Sequence, residues 1–600
     1  MKVNRTVRAW GIILLATLIV VSPLLLNRTA ILGVDGYFQY NRIYEAAMQL
    51  RHHNFSFLNL YSFQQTGRIV NQVYSPLLAY LFGGVLLLAG NWMRFQIVSC
   101  VLVMLVAGVT TYHAAQRLKL NFKISVSAGI IYMTSFSIVG FIYSTNWRSM
   151  AAALIPLLVG PMIDFYEGDW SLKSMLSLGV IVGLIAQVQI LTVALSLPIL
   201  IPFFVYGLIK SSYKWRSLGY LIVAIIVALL LSLNIVLPYL DINANSYMVP
   251  PVPLHLVAGV ANVVVPFVGH GESLSVPVIS IIFYLGLAGL LWFWKNISTF
   301  AKVLYISALV YIILGTNLIP WQVIENHFPI LQYYLQLPFR FTISGMVFLT
   351  LGCLLVLTDI ALRKTDSGIS TKVIGFASAM MAVAAVMSLA ISLTGKVQFD
   401  NNPKTTVANG LNTSPANVHP KTYQGKQLKS FTDLQPTFHT RHLGDLIRSV
   451  DRTTPDYIPV SNYSTKVSYY DLYNELIIKN KFNYQHTVKP NGILQVTWNN
   501  RTNQKKKEVP VFAYGSTKIR INGRKVATNS IKKTRLGTLI VPVKAGKNQI
   551  QLSYQPRLVT KLGIVISVIG WIVVLLITAY QGLRHMKRNL SINKNDFDTN

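Results

Sequence analysis

The stretch GVDGYFQYNRIYE, residues 33 to 45, places Asp35, Gln39, Arg42 and Glu45 four, three and three residues apart. On a helix this spacing lines them along one stripe. A carboxylate, an amide and a guanidinium on one stripe suit proton removal from a hydroxyl and the holding of an anion. The same spacing suits a helix lying in a membrane interface with its polar side in water and Asp35 as an acid near its N-terminus. Spacing alone leaves both readings open. The scarcity of acids sharpens the choice. On the side of the membrane where this stretch falls, outside a polar insert, the acids are Asp35, Glu45, Asp241, Glu272 and Glu325. Asp35 is the best placed of these for a general base.

A second group sits in LQYYLQLPFRF, where Gln336, Pro338 and Arg340 fall at a membrane boundary. Arg340 begins a long apolar run with no acid beside it. A guanidinium there either grips a phosphate through two hydrogen bonds or snorkels to the interface. Elsewhere, Gln187 and Gln189 suit hydrogen bonds between helices, and His255, His270 and His327 lack metal-ligand spacing. The chain has no phosphate-cradling glycine loop and no nucleophile elbow.

Apolar helices must carry these residues. Of 600 residues, 52% are hydrophobic and 12% charged, with a mean hydropathy of +0.47. That composition is an integral membrane protein's. About twelve apolar runs approach the roughly 20 residues a spanning helix needs. They cover 9–26, 95–116, 124–143, 150–165, 175–191, 194–208, 218–240, 277–293, 303–318, 341–362, 373–394 and 562–583. With both termini cytoplasmic, the inner segments hold Lys2, Arg5 and Arg8, then Arg117, Lys119 and Lys123, then Lys210, Lys214 and Arg216, then Arg363, Lys364 and Lys372, and finally Arg584, Lys587 and Arg588. This distribution obeys the positive-inside rule. Residues 76–90 read as a short interfacial helix, because a thirteenth span there would reverse every later loop. The first run reads as an uncleaved span rather than a signal peptide, since no small-x-small site follows it.

The expected fold is therefore a polytopic α-helical membrane protein with an extracytoplasmic β-sandwich-containing domain before its last helix. Residues 1–394 form the transmembrane domain, with a first outer loop at 27–94. Residues 395–558 are extracytoplasmic, 559–583 the last helix and 584–600 a cytoplasmic tail. Within the insert, 401–420 reads as an extended or loosely ordered connector. The runs from ILQVTWNN to NQIQLSY read as a β-sandwich, with a hairpin at Asn522-Gly523 and a second turn at Gly546. The insert carries about 26 Lys and Arg against about eight Asp and Glu, and the whole chain has a net charge of +33. Outside the membrane, such an excess fits anionic lipid headgroups or an anionic cell-envelope polymer and excludes nucleic acid as the partner. The only cysteines, Cys100 and Cys353, lie in apolar runs, so the insert has no disulfide.

The segments DGYFQYNRIYEAAMQL, NQVYSPLLAYL, NWRSMAAALIPLL, LQLPFRF and PDYIP resemble the bacterial membrane proteins labelled pyruvoyl-tetrahydropterin-synthase-related. The C-terminal part, from VPVFAY through GIVISVIGWIV, resembles a related family that adds sugars to lipoteichoic acid. No pterin chemistry is implied for this membrane body. The resemblance implies a GT-C glycosyltransferase architecture, in which an acid of the first outer loop lies beside a groove for a polyprenyl-phosphate sugar. Asp35 then matches the catalytic acid, with Arg42, Gln336 and Arg340 as donor-phosphate ligands. Gln39, Glu45, Arg148 and Tyr74 become accessory residues. Two positions depart from the pattern: Gln39 stands where related sequences often have His, and Tyr143 and Arg148 stand where they have an Arg–Glu pair. These departures bear on metal binding, so no cofactor is certain and a divalent cation remains one expectation.

The reading that follows is a teichoic-acid-type glycosyltransferase at the outer face of a bacterial cell membrane. It takes sugar from a polyprenyl phosphate and passes it to an envelope polymer. The alternative is a non-catalytic envelope protein on the same scaffold that binds or presents a lipid-linked polymer. The inverted repeats of a transporter are not visible. The transferase reading requires Asp35 and the distant Arg340 to share one hollow.

Overall fold

The computed structural model describes residues 4–244, 246–261, 276–363, 370–480, 482–502 and 504–595. Lys2, His270, Glu272 and Lys364 lie outside the described residues. The principal helices are α1 (Arg5–Asn27), α2 (Gly36–Arg51), α3 (Pro76–Ala89), α4 (Trp92–Arg117), α5 (Phe122–Met133), α6 (Phe136–Ser144), α7 (Trp147–Glu167), α8 (Leu172–Ala186), α9 (Ile190–Lys210), α10 (Lys214–Ala244), α11 (Val276–Trp292), α12 (Thr299–Leu314), α13 (Arg340–Arg363), α14 (Thr371–Asp400) and α15 (Leu558–Asn595). Among the described residues, eight helices are long and apolar enough to cross a membrane, and the bent pair α5–α6 makes nine. By length this corrects the expected twelve. Helices α8 and α12 are apolar but only 15 and 16 residues long, and α11 has 17 residues among those described. Hydropathy does not register the breaks that end two of them, at Gln187 after α8 and Gly315 after α12.

Polar contacts inside the apolar body join helices distant in sequence. Gln187 donates to the Leu231 carbonyl at 2.7 Å, and Ser567 and Trp571 of α15 donate to the same oxygen at 2.8 and 3.0 Å. A carbonyl facing three donors in hydrocarbon fixes the last helix against α8 and α10. Gln189 instead accepts from Thr192 within its own segment.

The insert folds into two parts. Residues 401–420 are ordered, which corrects the loose connector. Val407 and Leu411 are buried, and Val418–Pro420 pairs antiparallel with Val450–Arg452. The polar composition hid the apolar residues that draw this segment onto Phe431, Leu434 and Phe438. The second part is the sandwich, with strands β1 (Gln485–Lys489), β2 (Ile493–Asn500), β3 (Lys506–Phe512), β4 (Thr517–Ile521), β5 (Arg524–Val526), β6 (Lys532–Lys533), β7 (Thr538–Pro542) and β8 (Gly546–Tyr554). One antiparallel sheet runs β5-β4-β8-β2-β1 and the other β6-β7-β3. Asn522 and Gly523, with φ of 49° and 87°, make the expected hairpin. The turn at Gly546 carries the chain from one sheet to the other, with Asn548 bonded to Lys544 across it.

The segment between α2 and α3 lies between the two bodies. Leu58, Leu60 and Ile69 enter the sandwich core beside Leu494, Val511 and Leu552. On the membrane side, α3 packs on α2 at Gly83, where an added Cβ would stand 2.8 Å from the Ala47 nitrogen. Any side chain there must push the two helices apart. Gly83→Val is expected to destabilise the protein by about 1–3 kcal/mol through overpacking, read as a lower thermal midpoint in detergent. An unchanged midpoint would mean that this close approach does not hold α2.

Candidate functional site

Asp35 stands at the N-cap position of α2 but makes no side-chain capping bond. Its carboxylate is therefore not used by the helix. A Cβ on Gly33 would lie 2.6 Å from the Tyr143 carbonyl, so only glycine lets this loop press against the end of α6. That approach sets Asp35 beside Asn146, whose Nδ2 donates to Asp35 Oδ2 at 3.2 Å. Asn146 also caps α7 by accepting from the Arg148 amide at 2.9 Å. One amide thus positions both Asp35 and the start of the helix that carries Arg148.

Arg340 arrives from a distant part of the chain. Its Nη1 donates to the Leu335 carbonyl at 2.7 Å, and its Nη2 to Gln336 Oε1 at 3.1 Å. Gln336, in the left-handed region with φ of 58°, donates in turn to the Val252 carbonyl at 2.9 Å. Its amide acts as a bracket for the guanidinium. Arg340 lies within electrostatic reach of Asp35, Arg148, Tyr74 and Tyr457. Arg148 lies 4.8 Å over the Phe339 ring. Arg340 thus lies within electrostatic reach of Asp35 and of Arg148, while Asn146 links Asp35 to the start of the helix that carries Arg148.

The insert closes this neighbourhood with the strap PDYIP. Tyr457, φ 63°, hydrogen-bonds to the Tyr74 hydroxyl and packs edge-on against its ring at 5.5 Å. Burial raises the Tyr74 phenol to about 12, so both hydroxyls stay protonated. Arg452 donates to the Val34 carbonyl, tying the strap to the loop before Asp35. Both Asp35 and Asp456 act on Arg452, and both act on Tyr74. Asp456 Oδ1 is buried and has no hydrogen-bond partner among the described residues. Burial raises its carboxyl to about 6, against the opposing charges of Arg68 and Arg452.

Arg42, Gln39 and Glu45 lie behind this surface. Arg42 is 0% exposed and donates to Gln39 Oε1 at 2.8 Å, Asn71 Oδ1 at 3.1 Å and the Ser75 carbonyl at 3.3 Å. Its guanidinium stacks on Tyr74 at 4.7 Å and Trp147 at 5.4 Å. Glu45, also fully buried, accepts from the Leu60, Tyr61 and Ser62 amides at 2.7, 2.8 and 3.0 Å, from the Ser62 hydroxyl and from Gln49. Burial raises its carboxyl while these donors oppose the shift. Glu325 similarly clasps the Leu256 amide, His255 and Gln332, and Asp241 holds Arg557 and Thr560 at the head of α15.

Among the described residues, no three His, Cys, Asp or Glu side chains gather closely enough to hold a metal ion. The surroundings of Asp35 are cationic, unlike the oxygen-rich shell a divalent cation needs. Sequence reasoning passed over Asp456, Arg452, Tyr457 and Asn146. The one available signal was the PDYIP segment, an acid and an aromatic between two prolines in an otherwise basic domain.

No protein-family model matches the chain, and no curated protein matches it. Among solved structures, the chain is similar to the arabinofuranosyltransferase AftD from Mycobacteria, with 16% identity and a TM-score of 0.41. The alignment covers 66% of this chain and 27% of that one. It is also similar to the oligosaccharyltransferase of Archaeoglobus fulgidus in its apo form, with 13% identity and a TM-score of 0.37 over 66% of this chain and 56% of that one. The chain thus spans about a quarter of the first and just over half of the second. None of these comparisons points to the pyruvoyl-tetrahydropterin-synthase-related group.

The raised carboxyl of Asp456 has a consequence for stability. Its folded value lies above its ordinary one, so its contribution is full below about pH 4 and is lost as pH rises through about 6. The difference in thermal midpoint between wild type and Asp456→Asn is expected to change across that window and to be constant above it. A difference flat from pH 4 to 7 would show that Asp456 titrates normally.

Proposed function

We propose that this chain is an inverting glycosyltransferase working at the outer face of a bacterial cell membrane. It moves a sugar from a polyprenyl-phosphate donor to a hydroxyl of an anionic cell-envelope polymer. The observation that carries the reading is the convergence of Asp35 with Arg340 and Arg148 on one neighbourhood, from three separate stretches of the chain. Two guanidiniums beside one carboxylate suit a phosphate leaving group next to a proton acceptor. Asp35 takes the proton of the acceptor hydroxyl. The acceptor oxygen then forms the new bond to the anomeric carbon as the bond from that carbon to the phosphate oxygen breaks. The leaving phosphate departs with the electron pair, and Arg340 and Arg148 stabilise its growing charge.

The remaining residues position these three. Gln336 orients Arg340, and Asn146 orients Asp35. The Tyr74–Tyr457 pair supplies an aromatic wall, and Arg42 supports Tyr74 from behind. The polyprenyl chain lies in the membrane beside α13, whose first residue is Arg340.

Asp35→Asn is expected to lower sugar transfer by about 10²–10⁴-fold, the range of a lost general base, with the thermal midpoint unchanged. Arg340→Lys, which replaces a bidentate donor by a point charge, is expected to lower transfer while retaining acceptor binding. The check is radiolabelled sugar incorporation into envelope polymer by membranes of a deletion strain carrying each variant. Full activity of a folded Asp35→Asn protein removes the transferase assignment and leaves a polymer-binding scaffold.

A further inference from the structure

The sandwich carries a groove of about 1040 Å³ at the open end of the β1–β2 hairpin. Its aromatic side is formed by Phe482, 37% exposed, and Tyr484, with ring centroids 4.7 Å apart. Trp498 meets Tyr484 edge-on at 5.9 Å, and its indole N–H is buried with no partner among the described residues. The Tyr484 hydroxyl donates to the Glu508 carbonyl at 2.5 Å, which fixes that ring. Lys507 Nζ lies 3.2 Å above the Phe482 ring, and Arg501 and Lys547 line the same groove. The carboxylate of Glu508 accepts from Thr538 at 2.6 Å and is occupied there.

Aromatic faces flanked by cations are a specific combination. Aliphatic chains need no cations, and a bare polyanion needs no ring faces. Sugar rings present C–H faces that pack on aromatics, and acidic substituents pair with Lys and Arg. We propose that this groove binds an acidic polysaccharide, a polymer of sugar rings bearing carboxylate or phosphate groups. The closed end of the same hairpin docks on the first outer loop, where Asn54 bonds to Lys489 and Gly492. From the pair Lys489–Ile493 to the pair Gln485–Thr497 the hairpin runs four residues, about 14 Å. The groove therefore stands away from the docked turn of the hairpin, and a polymer held in it keeps its end free. Its role as an acceptor site rests on the transferase reading, whereas the binding itself does not.

The test uses purified full-length protein in detergent with fluorescent polygalacturonate, phosphomannan and neutral dextran. Binding is read by thermophoresis at two salt concentrations. Wild type is expected to bind at least one acidic polymer and not dextran, and the tighter of the two identifies the acidic group. Arg501→Gln with Lys507→Gln is expected to weaken binding at least tenfold and to reduce its salt dependence. Phe482→Ala, on an exposed ring, is expected to weaken it about fivefold without a change in thermal midpoint. Lys518→Gln with Lys525→Gln, on another basic face of the sandwich, serves as the control. The proposal falls if the control pair costs as much as the groove pair, or if Phe482→Ala binds as wild type does. Asp35→Asn should bind normally while failing to transfer, so loss of the groove and loss of the transferase assignment give different results.

Discussion

A charge taken out of water must find a partner or be put to use, and this constraint organises the region around Asp35. Acids are few on this side of the protein, and most of those described are consumed by structure. Glu45 is wrapped by three consecutive amides, a hydroxyl and Gln49, so it acts as the clasp of residues 60–62. Glu325 holds the 255–256 turn to Gln332, and Asp241 anchors the start of α15. Asp35 accepts a single side-chain hydrogen bond and caps no helix, and the Asp456 carboxylate oxygen Oδ1 accepts none among the described residues. Their underuse by the fold is what distinguishes these two acids.

The neighbourhood of Asp35 is also not a property of the transmembrane body alone. Asp35, Arg148 and Arg340 come from the loop side of the helices, but Tyr457, Asp456 and Arg452 come from the insert. The Arg452 bond to Val34 and the Tyr37 bond to the Ile447 carbonyl, at 2.7 Å, join the two around α2. The Leu58 and Leu60 side chains carry the junction on into the sandwich core. An insert rooted at both α14 and α15, and threaded by residues 54–75, cannot move freely about a flexible tether. This rigidity lets Arg452 of the insert stand within electrostatic reach of Asp35 on the other body.

Much of this organisation was legible in the sequence, because hydropathy marks helices suited to a membrane and strand alternation marks the faces of a sandwich. Every expected span falls on an apolar helix, and the Asn522-Gly523 hairpin forms where the dipeptide demands it. The misreadings have physical causes. The lengths of α8 and α12 depend on breaks at single residues, which averaged hydropathy smooths away. The 401–420 connector folds because a few apolar residues find partners far along the chain, and composition cannot report such partners. Helical spacing put Arg42 and Glu45 on the stripe with Asp35. It could not show that both are buried, since that depends on α3, Asn71 and residues 60–62 closing over them.

Arg42 shows how a residue without access to a ligand still shapes the neighbourhood. It is fully buried, forms no ion pair among the described residues, and is held by neutral oxygens and two aromatic faces. Burial lowers its pKa to about 9, which leaves it charged near neutrality. A charge so poorly screened acts over a longer range than one in water. Tyr74 lies in contact with it on one side and with Tyr457 on the other, so its ring face takes up the cation while its hydroxyl meets the strap. The positive potential around Asp35 therefore comes from Arg340 with its neighbour Arg148 and from Arg42 behind the aromatic wall. Such a field favours an anion there before any contact is made.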